Sequence, residues 1–186
     1  MKLHLGCGNK NISGWINIDS TSDKADLKID IKDISHHFKP ESIEEVYMCH
    51  VLEHFGRYEY KNVLKQIYNV LKFNGIIRIS VPDFHVYATY YCKTHDIESL
   101  YGALYGGQKD QFDYHKWCFT FDSLKKDLEM IGFRDTQKYD WRSTDHAAQF
   151  DWACDYLPRT DSNGEILENE VWHQGTLASL NVVAKK

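Results

Sequence analysis

The sequence has little that would favour a nucleic-acid partner, a disulfide framework or a membrane anchor. Its 186 residues carry 22 lysines and arginines against 27 acidic residues, and no run of basic residues forms a stripe. The five cysteines are scattered and include no CxxC pair, which argues for a reducing compartment. No stretch approaches 18 apolar residues. We therefore expect a cytoplasmic protein with a small-molecule partner, no nucleic acid and no membrane; a homo-oligomer is left open.

The composition, by contrast, is that of one globular domain in which strands and helices alternate. Hydrophobic residues make up 42% of the chain and charged residues 26%, near the globular average. Short apolar or alternating runs predict seven strands, at residues 2–5, 15–18, 27–31, 46–49, 76–81, 133–139 and 177–184. Helical periodicity and end signals predict helices over 58–73, within 85–105, and from Thr120 or Asp122 to Met130. This alternation indicates an α/β domain with a parallel core.

One long stretch, residues 141–174, fits neither a strand nor a helix. It is polar and aromatic, and a connection of that length in a small domain usually has a role of its own. We expect an inserted arm or lid within the single domain 1–186. Aromatic residues, 14% of the chain, are frequent after residue 84. They suit either core and lid packing or the walls of a substrate pocket.

The first strand runs into a glycine turn, Gly6-Cys7-Gly8, that resembles a nucleotide-binding loop with part of it missing. In the dinucleotide motif GxGxxG the third glycine packs a helix against the strand, and an acidic residue follows about 20 positions later. Here Asn11 takes the third position and Asp19 follows Gly8 by only eleven residues. The turn therefore suits a nucleoside ligand without a pyrophosphate. Asp19 could accept hydrogen bonds from a ribose diol, and Asp30 one from an adenine amino group.

These segments together resemble the class I S-adenosylmethionine-dependent methyltransferases. The motifs that carry the resemblance are LHLGCGNK, INIDS, LKIDIKDI, VYMCHVLEHF, VLKQIYNVLKFNGIIRISVPDF and LKKDLEMIGF. They are most similar to a branch with a GCG loop and a VLEH segment. The resemblance implies a Rossmann-like, mostly parallel sheet with a shortened first helix and an antiparallel last strand.

The resemblance also implies S-adenosyl-L-methionine as the cofactor and a set of residues that contact it. Gly6, Gly8 and His50 would border its methionine end, Asp19 would hold the ribose and Asp30 the adenine end. Three neighbours are further cofactor-binding candidates: Cys7, Ser20 and Ile31. The acceptor would be a small molecule, such as a sugar or nucleotide-sugar hydroxyl. Two alternatives stay open: a non-catalytic cofactor-binding module, and a nucleotide-sugar reductase or epimerase.

A metal site is not expected, although HVLEH (residues 50–54) spells the HxxEH zinc motif. That motif needs both histidines on one face of a helix, whereas this segment follows a strand and Gly56 interrupts any helix. The catalytic candidates lie in the segment QKDQFDYHKWCFTF. We expect His115 to be a general base for the acceptor hydroxyl, with Asp113 as its substitute.

Overall fold

The computed structural model describes residues 1–167 and 175–186, and a seven-stranded sheet runs through its centre. Its strands lie in the order β3-β2-β1-β4-β5-β9-β6. Their bounds are β1 Lys2–Leu5, β2 Ile16–Asp19, β3 Leu27–Lys28, β4 Ile43–Cys49, β5 Leu71–Pro82, β6 Arg134–Lys138 and β9 Ser179–Lys185. The strands β1 to β5 pair in parallel. The strand β9 is antiparallel to both β5 and β6, so the predicted mostly parallel sheet with an antiparallel last strand is confirmed.

One face of this sheet is covered by helices. The helices α1 (Ile34–His37), α2 (Glu59–Val70) and α5 (Phe121–Ile131) bury their apolar sides against the strands in the largest core cluster. The sequence placed α5 correctly because its ends are chemically marked. Thr120 and Ser123 form a reciprocal capping box, and Gly132 ends the helix.

Several predicted boundaries are wrong, and the errors lie where the chain enters or leaves the sheet: β4 begins at Ile43 instead of residue 46, and β5 at Leu71 instead of residue 76. The helix α2 ends at Val70 rather than residue 73, because Leu71 is already extended and pairs with Ile43 of β4. The third strand spans only Leu27–Lys28 instead of 27–31. Beyond it, the side chain of Asp30 accepts a hydrogen bond from the Lys32 N–H and begins a 3₁₀ turn.

The other face of the sheet is covered without a first helix. Residues 6–15, all of them described, form turns between β1 and β2, and their buried side chains Ile12 and Trp15 pack on Tyr47. The buried amide of Asn17 fixes these turns, since its oxygen accepts from the Ile12 N–H at 2.8 Å. The remaining cover of this second cluster comes from far along the chain, chiefly from Trp141, Ala153 and Cys154.

The predicted insertion is therefore packed on the sheet over its first part. Three short 3₁₀ turns, Trp141–Ser143, Ala147–Gln149 and Trp152–Cys154, lead to a two-stranded hairpin of β7 (Tyr156–Leu157) and β8 (Thr176–Leu177). Residues 168–174 lie outside the described part of the chain, so the arm or lid stays a prediction.

The helices α3 (Phe84–Thr94) and α4 (Tyr101–Tyr105) account for the helical segments expected within 85–105. They pack with Leu157 and Ala178 in a third, smaller cluster. Among the described residues, no helix is long and apolar enough to cross a membrane.

Candidate functional site

A cleft of about 720 Å³ opens at the carboxyl ends of the first four strands. Most of the residues proposed from the sequence line it: Gly6, Gly8, Asp19, Ser20, Asp30, Ile31, His50 and Asp113. They come from separate loops because parallel strands deliver their C-terminal ends to one edge of the sheet. Cys7 and His115 are not among the lining residues.

The two glycines of the turn are needed for different reasons, because their surroundings differ. Both have left-handed backbones, with φ of +66° at Gly6 and +50° at Gly8. A Cβ on Gly6 would overlap Cγ2 of Val51, whereas one on Gly8 would meet nothing within 4 Å. Gly6 is therefore needed for packing, and Gly8 leaves the cleft floor open. Cys7 between them is buried, and burial raises the pKa of its thiol to about 11.

Asp19, at the end of β2, stabilises this turn through hydrogen bonds. One carboxylate oxygen accepts from the Gly8 N–H at 3.0 Å, and the other accepts from the Thr21 and Ser22 N–H groups at 2.8 and 2.9 Å. Burial opposes ionisation, but these hydrogen bonds prevail and hold the pKa of Asp19 below its usual value. Asp19 is thus an ionised, half-buried acceptor facing the cleft.

A group of ionisable side chains lies under the opposite wall of the cleft. His50 follows β4 with a left-handed backbone (φ +51°), and its Nε2 lies 2.9 Å from Ser179 Oγ. Its Nδ1 lies 3.6 Å from a carboxylate oxygen of Glu53. The Glu53 side chain is 1% exposed, and among the described residues neither of its carboxylate oxygens has a hydrogen-bond partner.

Burial sets the charge states of this group. It raises the pKa of Glu53 to about 8 and lowers that of His50 to about 3, the nearby His115 and His54 adding to the second effect. Burial also lowers the pKa of His54 and that of His115. The three imidazoles are therefore neutral at pH 7.

The 106–117 loop brings His115 to this group. The N–H groups of Lys116 and Trp117 both donate to the Glu53 carbonyl oxygen, at 2.8 and 3.2 Å. This docking leaves His115 Nε2 3.8 Å from Glu53 Oε1 and its ring 4.8 Å from the ring of His54. Asp113, in the same loop, faces the cleft directly.

Sequence reasoning did not include Lys109 and Lys116 of this loop, nor His54, among the site residues. The VLEH segment was a signal for His54 and Glu53. Nothing local indicated that the 106–117 loop would reach them, because the contact depends on backbone hydrogen bonds across about 60 residues.

Comparison with solved structures decides the fold. A methyltransferase from Archaeoglobus fulgidus, described as S-adenosylmethionine-dependent, is 17% identical, with a TM-score of 0.60 over 100% of this chain and 85% of that one. A second, from Thermotoga maritima, is 16% identical, with a TM-score of 0.55 over 100% and 81% of the two chains. The fold is that of the class I methyltransferases.

A third similar structure of this fold contains both of its ligands. It is the 1,6-didemethyltoxoflavin N1-methyltransferase of Burkholderia thailandensis with 1,6-didemethyltoxoflavin and S-adenosylhomocysteine bound. It is 14% identical, with a TM-score of 0.58 over 100% of this chain and 70% of that one. No protein-family model and no curated protein matches the sequence. At these identities the likeness shows the fold alone.

Proposed function

We propose that this protein transfers the methyl group of S-adenosylmethionine to a small-molecule acceptor. The observation that carries the proposal is the convergence, in one cleft, of an open glycine turn and two carboxylates from the next two loops. Asp19 and Asp30 line this cleft with Gly8, at the edge where folds of this kind bind their ligands.

The cleft suits a nucleoside with a short charged tail better than a dinucleotide. Turns occupy residues 6–15, so no helix N-terminus is available to bind a pyrophosphate. Asp19 is ionised and would receive the ribose hydroxyls, Ser20 and Ile31 would flank the nucleoside, and Asp30 would face the adenine end. Gly6, Gly8 and His50 would then border the methionine end. Cys7 would contribute through its backbone alone, because its side chain is buried.

The acceptor side is proposed to lie toward the 106–117 loop, where Asp113 faces the cleft and His115 lies behind it. Methyl transfer from a sulfonium needs an aligned nucleophile in a site that excludes water. Exposed aromatic side chains on this loop, Phe112 and Tyr114, offer apolar area for a small acceptor. A sugar hydroxyl would fit this description, and so would other small hydroxyl or amine acceptors.

Two rival functions make different binding predictions. A non-catalytic module would bind S-adenosylmethionine but transfer no methyl group to any acceptor. A nucleotide-sugar reductase or epimerase would prefer NAD to S-adenosylhomocysteine.

Calorimetry with S-adenosylmethionine, S-adenosylhomocysteine and NAD tests the cofactor directly. We expect the first two to bind at micromolar concentrations and NAD not to bind. If neither of the first two binds below 1 mM, the proposal is wrong.

The matched variants for this titration are Asp19→Ala and Asp26→Ala. Each removes a carboxylate that accepts backbone N–H groups, but Asp26 bonds Asn17 and does not line the cleft. Both should lower the melting temperature. Only Asp19→Ala should also weaken S-adenosylhomocysteine binding, by about 2–3 kcal/mol, the range for hydrogen bonds to a charged group. Equal affinities in the two variants would place the ribose elsewhere.

A further inference from the structure

The carboxylate of Glu53 is buried at the meeting point of three imidazoles, with no proton donor among the described residues to compensate it. An unpaired buried carboxylate is costly, and proteins retain one where it is hydrogen-bonded, ion-paired or bound to a metal. The polar neighbours of Glu53 are the imidazoles of His50, His54 and His115.

The histidines offer lone pairs. Nδ1 of His115 lies 2.7 Å from the Ala103 carbonyl oxygen, and Nδ1 of His54 lies 3.2 Å from the Tyr114 carbonyl oxygen. A carbonyl accepts only, so each Nδ1 carries the proton and donates it. Each Nε2 is therefore an unprotonated acceptor. A histidine that donates one ring N–H to a carbonyl while the other nitrogen stays free is the usual arrangement of a metal ligand.

In His50 the roles of the two ring nitrogens are exchanged: Nε2 carries the proton and Nδ1 the lone pair. The Ser179 hydroxyl donates to the Trp152 carbonyl oxygen, so it accepts from His50 Nε2–H. The lone pair of His50 is then on Nδ1, which lies 3.6 Å from Glu53 Oε1. Three imidazole lone pairs thus lie around one buried carboxyl group, and either a proton or a divalent cation at this point would compensate them.

We propose that Glu53, His54 and His115 bind a divalent transition-metal ion beside the cleft. One ligand atom from each residue lies within 4.8 Å of the other two. Ligand atoms about 2.0–2.2 Å from a shared ion lie roughly 3–3.5 Å apart, so small side-chain rotations would close the site. Two imidazoles and one carboxylate suit Zn²⁺, Fe²⁺ or Mn²⁺, and they leave coordination positions open.

The open side of this site faces the cleft, because His54 lines it while Glu53 is buried behind. The ligand for an open position would be water or an oxygen of the bound small molecule. A bound divalent cation lowers the pKa of a coordinated hydroxyl, so the site would assist a hydroxyl acceptor. This last role depends on the proposed methyl transfer, whereas metal binding itself does not. His115 would then be a metal ligand rather than a free base.

The test is metal binding by the full-length protein after chelation and dialysis. We expect one equivalent of Zn²⁺ by calorimetry with a micromolar or lower Kd, and visible Co²⁺ d–d absorption bands. His54→Ala and His115→Ala should each weaken binding at least a hundredfold. Glu53→Gln keeps the shape of the side chain and should weaken binding by a similar factor. His37→Ala, an exposed histidine on α1, is the control and should bind as the wild type does.

Several outcomes would overturn the proposal. One is a folded wild-type protein that binds no Co²⁺ or Zn²⁺ at 1 mM. Another is binding that survives the His54, His115 and Glu53 substitutions. A protonated-carboxyl infrared band that is lost in Glu53→Gln and unchanged by added Zn²⁺ would mean that a proton occupies the position instead. S-adenosylhomocysteine binding, measured on the same samples, separates the two proposals: binding of that ligand without metal rejects only the metal site, and metal binding without that ligand rejects only the proposed function.

Discussion

Replacing Gly6 by alanine should destabilise the protein through one identifiable clash. The backbone at Gly6 has φ +66°, a conformation that costs a residue with a Cβ roughly 1–2 kcal/mol. The new Cβ would also overlap Cγ2 of Val51 and lie 3.1 Å from its Cγ1. Overpacking of this kind costs about 1–3 kcal/mol. We therefore expect Gly6→Ala to lower the free energy of unfolding by about 2–5 kcal/mol, measured by urea denaturation.

The companion substitution Val51→Ala tests the origin of this loss. It removes both methyl groups that the new Cβ would meet and leaves only Val51 Cβ, 3.3 Å away, so in the double variant most of the cost that remains from Gly6→Ala should be backbone strain. A double-mutant cycle should give a favourable coupling of about 1–3 kcal/mol between the two positions. If the two losses simply add, the clash does not explain the need for glycine at position 6.

Gly8 and Gly14 provide the matched pair for function. Both have positive φ, +50° and +80°, and a Cβ on either would meet nothing within 4 Å. Alanine at each should therefore cost a similar backbone strain of about 1–2 kcal/mol. Gly8 lines the cleft and Gly14 does not. Only Gly8→Ala should weaken S-adenosylhomocysteine binding, and a parallel loss in Gly14→Ala would contradict our placement of the cofactor.

Two further predictions concern the acceptor side and acid stability. Once an acceptor is known, His115→Ala should lower turnover at least a hundredfold, and Asp113→Asn should also lower it, while affinity for S-adenosylhomocysteine stays unchanged. A free-base role would also remove the acidic limb of the pH–rate profile; a metal-ligand role would not. His146 is buried against Tyr47, and burial lowers its pKa to about 4 from an unfolded value of 6.5. Above pH 6.5 this histidine is neutral in both the folded and the unfolded protein. As the pH falls from 6.5 toward 4, only the unfolded protein takes up the proton, so the free energy of unfolding falls by on the order of 3 kcal/mol. Between pH 7 and 4.5, urea denaturation should show a larger loss of unfolding free energy in the wild type than in His146→Phe, whose remaining loss comes from other buried histidines such as His50.

The sequence predicted those parts of the fold that local chemistry determines. The candidate cap at Thr120 and the stop at Gly132 marked the ends of α5, and short apolar or alternating runs located all seven strands of the central sheet. It failed at Leu71, whose apolar side chain continues the helical pattern of α2 although its backbone pairs with β4. Periodicity cannot distinguish a last helical residue from a first strand residue when both are buried.

The candidate site, too, could be predicted from the sequence only in part. Gly6, Gly8, Asp19 and Asp30 were predicted because each ends or follows a strand. The meeting of Glu53, His54 and His115 was not, since it depends on where the 106–117 loop docks. No residue type signals that docking, because both hydrogen bonds that fix it are between backbone groups.

The cover of the second sheet face has a consequence for the order in which the chain can fold. The strand β1 and the loop that follows it are backed by residues far along the chain: Lys2 of β1 pairs with Asp145, 143 positions later, and Lys10 of the loop donates to the Gln149 carbonyl oxygen, 139 positions later. A ribosome would have to release most of the chain before these contacts could form, and contacts so distant in sequence slow folding. The cover of the β1–β2 loop would therefore form only after residues 145–149 had been synthesised, whereas the hydrogen bond from the Gly8 N–H to Asp19 joins residues only eleven positions apart and could form much earlier.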